Sequence, residues 1–303
     1  MDFPESEDAR NGLDTLISEL GSESRRSDIS DCHQIVTDKL LSPLFLPGMI
    51  SLNEEDTQFA SQRLAGSCDV MEQLLNGLLD AKGRIGEEIH AIRKLGKSMR
   101  GGFSLFRLGR NSEKEIQVIG RLLSGPRDSV SRLITWDKLA WEGDAAAAIR
   151  GLLEQQTHSA ARRPPPETVA WCVARVDAAR QNLLKLPQAE LGERISTGLK
   201  KLDKQVTKHC KRLHRDGEED FHDARKALKA YLGALGFLPE GAVMLDPKTI
   251  NLPEILGDEN DLTTLSTWLE HHGFTRNFVP TLWKKLAKSR SRLRKQAIRD
   301  VAR

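Results

Sequence analysis

A single tyrosine and an aromatic content of 5% are the first features of this 303-residue chain. With twelve prolines as well, little material is left for an all-β fold. Cysteine is equally sparse. Cys32, Cys68, Cys172 and Cys210 are scattered without a CxxC pair, which excludes a disulfide framework and zinc-finger spacing. Long apolar runs are missing, so no membrane span is expected. Met1 to Glu5 is acidic and no apolar stretch follows it, so no signal peptide is expected either. The phosphate-cradling, dinucleotide, HExxH and GxSxG motifs are all absent. These absences lead to the expectation of a cytoplasmic protein that is not an enzyme and needs no cofactor or metal.

What the chain does contain is Leu, Ala, Lys, Arg and Glu, a composition that favours helices. The net charge of +3 hides a division. Residues 1–60 hold 4 Lys/Arg against 13 Asp/Glu, a net of −9. Residues 61–303 hold 42 against 30, a net of +12. An acidic arm over 1–55 is expected to be poorly ordered, rich in Asp, Glu, Ser and Gly over 1–28 and with one helix through Ile35, Val36, Leu40 and Leu41 before Pro43 and Pro47. The basic body that follows implies an anionic partner.

Helical spacing of apolar residues runs through most of the body. Asn53-Glu54-Glu55-Asp56 reads as a helix start, with acids in the first turn. Helices are expected from Asp56 to Leu79, Ile85 to Leu108, Ser112 to Leu123, Arg127 to Trp141 and Ala145 to Gln155. The run Pro164-Pro165-Pro166 punctuates the chain. Further helices follow from Glu167 to Leu186, Leu191 to Leu213, Glu218 to Leu235, through Trp268, and from Pro280 to the end. The domains expected are the arm and a body of two helical halves, 56–159 and 167–303, joined by the linker 160–166. Gly101-Gly102 falls inside a helix, where a close helix approach or a kink would explain it.

One short pattern occurs twice. His90, Arg93, Lys94 and Lys97 stand at offsets 0, 3, 4 and 7, and so do His222, Arg225, Lys226 and Lys229. Those offsets share one face of a helix, where a core-facing stripe would be apolar. Asp128 follows His90 by 38 residues, and Asp261 follows His222 by 39. Two halves with one internal order, 132 residues apart, imply a pseudo-two-fold body.

These residues resemble the CHAD family, the conserved histidine α-helical domain. The resemblance rests on His90, Arg93, Lys94, Lys97 and Arg100 with Arg127-Asp128, and on His222, Arg225, Lys226 and Lys229 with Leu256-Gly257 and Asp261. It covers roughly residues 60–303. It implies an all-α fold of two pseudo-symmetric antiparallel helical bundles with a basic groove or pore between them. It also implies binding of inorganic polyphosphate, often at polyphosphate granules.

A linear polyanion needs cations spaced along a track, and lysines and arginines one helical turn apart supply it. Arg93, Arg100, Arg127 and Arg225 suit bidentate contacts to phosphate oxygens, and Lys94, Lys97, Lys226 and Lys229 act as point charges. The final helix adds Lys284, Lys285, Lys288 and Arg292. The bland alternative is a solvated, ion-paired helix face. His90 and His222 have cations beside them that repel a metal ion, so a hydrogen-bonding role is expected. Asp128 and Asp261 read as helix caps or as acids that orient the stripe. The five tryptophans, Trp136, Trp141, Trp171, Trp268 and Trp283, read as core. Asp258-Glu259-Asn260-Asp261 reads as structural rather than as a magnesium site. A nucleic-acid-binding helical protein shares the electrostatics, with nucleic acid otherwise a weaker competitor, and a further alternative is a phosphate-ester or polyphosphate-processing enzyme accessory, which would call for a convergent carboxylate and metal cluster that the sequence does not offer.

Overall fold

The computed structural model describes residues 52–80, 85–160, 163–243 and 247–301. The acidic arm up to residue 51, part of the linker and the side chain of Arg127 lie outside the described residues. Ten α-helices and no strands are found among the described residues. They are α1 (Glu54–Gly77), α2 (Ile85–Leu105), α3 (Gly109–Leu122), α4 (Ser124–Leu139) and α5 (Ala146–Ala160). After the prolines come α6 (Pro166–Leu184), α7 (Leu191–Cys210), α8 (Glu218–Leu235), α9 (Pro247–His271) and α10 (Pro280–Val301).

α1 begins where the acids announce it. The Asn53 side chain accepts from the Asp56 backbone N–H at 2.8 Å, and the Asp56 carboxylate accepts from that of Asn53 at 3.1 Å. This reciprocal cap satisfies two N–H groups that the first turn leaves without partners.

Two prolines outside the expected helices lie inside observed ones. Ser124-Gly125-Pro126 does not separate two helices but forms the first turn of α4, where an N–H is not needed. Asp128 is therefore inside α4 rather than at its cap. Pro253 lies inside α9, which runs unbroken from Pro247 through Asp258–Asp261 to His271. Asp261 is accordingly mid-helix and opens nothing.

Packing ignores the proline run. α6 follows it, yet seats Val169, Cys172, Val176, Ala179 and Leu183 against α1 and α3. With α2, these helices form a closed four-helix set. α4 and α5 precede the run, yet their Trp136, Leu139, Ile149 and Leu153 share an apolar cluster with α9 and α10. The boundary between 56–159 and 167–303 is thus one of sequence, not of packing. Each helix goes where its apolar face completes a core.

α2 and α8 are the most extensively packed pair. α2 also touches α1, α3, α4 and α7, and α8 touches α7 and α9. Both stripe helices are thereby fixed by neighbours on several sides.

Candidate anion-binding site

The stripe helices come into backbone contact near their C-terminal ends. A Cβ on Gly101 would lie 2.4 Å from the Ala230 carbonyl oxygen and 2.6 Å from the Ala234 nitrogen. One on Gly233 would lie 3.0 Å from Ser98 Cα. Gly101 and Gly233 are 132 residues apart, as are Ser98 and Ala230, and as are His90 and His222. The contact is therefore reciprocal at the spacing of the repeat. Glycine in these helices serves a close approach, not a kink. Lys97 and Lys229, the last cations of the two stripes, immediately precede Ser98 and Ala230. The structure brings the C-terminal ends of both stripes to one place.

Not all stripe residues face solvent. His90, Lys97, His222 and Lys226 are exposed, while Arg93, Lys94, Arg225 and Lys229 are partly buried. Arg93, 15% exposed, donates from Nη1 to the Gly120 carbonyl at 2.7 Å and from Nη2 to Asp128 Oδ1 at 3.2 Å. It ties α2 to the end of α3 and the start of α4. Asp128 is thus the orienting partner of a stripe arginine. Arg100 is also half-buried, and burial pulls its pKa down, opposed by Glu113 of α3.

In the second copy the corresponding contact is made by a different residue. Nδ1 of His222 donates to Asn260 Oδ1 at 2.9 Å, since an amide oxygen only accepts. Asn260 stands 38 residues after His222, the same interval as His90 to Asp128. Asp261 is one residue beyond and instead accepts from Ser131 of α4 at 3.4 Å. The sequence reading paired the wrong neighbour, choosing the acid over the amide.

The stretch Asp258–Asp261 disperses its side chains. Asp258 meets Lys138 of α4 at 3.6 Å. Glu259, 3% exposed, accepts from Arg294 at 2.8 Å and from Arg290 at 3.2 Å, both on α10. Asn260 meets α8 and Asp261 meets α4. Successive residues on a helix are turned by about 100°, so four in a row point to different neighbours. Among the described residues no three His, Cys, Asp or Glu side chains gather where a metal ion would sit.

α10 therefore works in two directions. Arg290 reaches Glu218 at 2.9 Å, and Arg294 lies over the Phe221 ring at 4.8 Å, so both brace the start of α8. Lys284, Lys288 and Arg292 lie exposed on the opposite side of α10. Lys285 donates to the Ala140 carbonyl at the end of α4.

Three residues escaped the sequence reading. Arg132 of α4 lines a cleft of about 520 Å³ with His222, Asn260, Thr263 and Glu218. Burial lowers its pKa and Asp128 opposes the shift. The signal was its position one turn after Asp128. Asp223 stands beside His222, where the first copy has Ala91, and lies 3.6 Å from Lys226. His209 of α7 approaches the same carboxylate at 4.0 Å.

Of the tryptophans, Trp136 and Trp268 are buried, and Trp141 and Trp283 pack against the second cluster. Trp171 is not core. It is 38% exposed, with the Arg175 guanidinium 4.4 Å above its ring. Burial pushes the thiol of Cys68 up to about 12 and those of Cys172 and Cys210 up to about 11. These are packing residues rather than nucleophiles. Among the described residues no helix is long and apolar enough to cross a membrane.

An all-helical domain in which two copies of one His-and-cation helix are pressed together, each tied to a residue 38 positions after its histidine, Asp128 or Asn260, defines a narrow class. The family described as the CHAD domain matches residues 69–270, and the chain belongs to that family. Its fold is similar to the crystal structure of the CHAD domain from the plant Ricinus communis, with a TM-score of 0.55 at 18% identity, covering 80% of this chain and 86% of that one. PptA from Streptomyces chartreusis gives a TM-score of 0.49 at 12% identity over 80% of this chain and 98% of its own. No curated protein matches the sequence.

Proposed function

We propose that this CHAD domain binds inorganic polyphosphate, without turning it over, along the cationic faces of α2 and α8. The observation that carries the reading is the junction of the stripes. Two sets of cations, far apart in sequence, end at one backbone contact between Gly101 and Gly233. A long polyanion touching both would release counterions from several phosphates at once, which a single phosphate group cannot do. Family membership supports the same ligand class. Association with polyphosphate granules would follow from that affinity. Nucleic acid is the competing polyanion, but base recognition calls for exposed aromatic or amide groups, and neither stripe offers them.

The test must respect what the arginines hold. Arg93 secures the α3–α4 junction, so its removal would perturb the fold. The variant chosen is Lys94→Ala, Lys97→Ala, Lys226→Ala and Lys229→Ala together. Titration with long-chain polyphosphate should show near-complete loss of binding while helix content by circular dichroism is kept. Unchanged binding would put the ligand on another face. Single-stranded DNA binding as tightly as polyphosphate at physiological salt would sink the reading in favour of a nucleic-acid protein.

A further inference from the structure

α7 carries a cationic face that the repeat does not include. Lys200, Lys201, Lys204 and Lys208 on α7, with Lys211 at its C-terminal cap, are all exposed. Their spacing places them on one side of the helix, opposite the buried Ile195, Leu199, Leu202 and Val206. None of the five forms a side-chain ion pair among the described residues. Glu193 is the exposed acid of α7's first turn, and Asp203 is turned partly inward.

Such a face is not the ordinary filling of a solvated helix, which mixes charge signs. The solvent side of α1, the helix before the first stripe, shows the contrast. It exposes Glu54 and Glu55 as well as Arg63, among the uncharged Gln58, Gln62, Gln73 and Asn76. From Lys200 to Lys211 the lysines extend over about 16 Å at the helical rise.

α7 packs along α8, and His209, next to Lys208, approaches Asp223 at 4.0 Å. Asp223 in turn lies 3.6 Å from Lys226 of the stripe. The second stripe and α7 thus meet at the Asp223 carboxylate, which Lys226 and His209 flank.

We infer that a long polyphosphate chain held at the stripes continues along the α7 lysines, so that this face sets a preference for long chains. The inference rests on the reading of α2 and α8 as the polyphosphate site. The ligand is the same polyanion, because charge along its whole length is what an evenly spaced lysine row without ion pairs complements.

The experiment compares the full chain with the variant Lys201→Ala, Lys204→Ala, Lys208→Ala and Lys211→Ala. Each is titrated with a polyphosphate about as long as one stripe and with one several times longer. The variant should bind the short chain like wild type. It should lose about tenfold or more on the long one, with a salt slope smaller by roughly three. Lys→Arg at the same four positions should restore long-chain binding. No loss on the long chain, or an equal loss on both, overturns the inference and leaves the stripes as the site. If wild type binds neither chain, the proposed function falls and this inference falls with it.

Discussion

Asp223 puts an acid beside the second stripe that the first stripe lacks. The first copy has Ala91 there; the second places a carboxylate 3.6 Å from Lys226. It offsets part of the positive field that a phosphate chain would meet. Asp223→Asn should therefore tighten polyphosphate binding by a few-fold at low salt, read by equilibrium titration, and the gain should fade as salt rises. Looser or unchanged binding would mean that Lys226 faces away from the ligand. Glu259 has the opposite character, since it is buried between two arginines. Glu259→Gln should lower stability by about 1–3 kcal/mol in urea unfolding, because two guanidiniums lose the buried carboxylate they share and each keeps only a more exposed one, Glu218 or Asp216. The cations of both stripes were legible in the sequence because their spacing repeats. Of their partners, Asp128 was named from the sequence and Asn260 was not. The Asn260 contact was missed because an acid next to an amide reads as the stronger candidate, and only the helical rotation shows which one points at His222.

Gly101 and Gly233 matter at the scale of the helix pair. Both are helical, where glycine is unfavourable by about 1 kcal/mol relative to alanine. Their presence is explained only by the neighbour. Gly101→Ala would press a methyl group into the Ala230 carbonyl and the Ala234 nitrogen, which are backbone atoms that cannot rotate away. It should destabilise by about 1–3 kcal/mol in denaturant unfolding and weaken polyphosphate binding by spreading the stripe ends. Gly151 on α5 has nothing within 4 Å of an added Cβ, so Gly151→Ala should instead stabilise by about 0.5–1 kcal/mol. Equal effects from the two substitutions would show that propensity, not contact, governs Gly101. Element existence followed well from apolar periodicity, whereas element ends at prolines did not. The expected helices left Pro126 between Leu123 and Arg127 and did not include Pro253, yet a first turn tolerates proline and a long helix packed on its neighbours accommodates one. The order in which helices pack was hidden as well. Nothing local in α6 says that it completes the set of α1, α2 and α3; only the shape of the remaining apolar surface does.

For the whole molecule, the site exists only when the chain is folded. α2 and α8 lie more than a hundred residues apart in sequence, and the stripes meet through a backbone contact that an unfolded chain lacks. A ligand that needs both stripes therefore binds the native state and not the unfolded one, and mass action must raise the unfolding temperature. At a polyphosphate concentration a hundred times the dissociation constant the gain is about 2.7 kcal/mol. In a domain of this size each kcal/mol moves the midpoint by about 2–4 °C, so a rise of about 5–10 °C is expected. Orthophosphate at the same total phosphate and ionic strength should give almost none of it, because a single group reaches one or two cations and releases few counterions. Raising the salt should remove the polyphosphate effect while leaving the ligand-free midpoint nearly in place, since the core clusters are apolar. Calorimetry of the full chain with both ligands at two salt concentrations reads all of these at once. A midpoint shift equal for orthophosphate and polyphosphate would show that the stripes act as separate small-anion sites and not as one track.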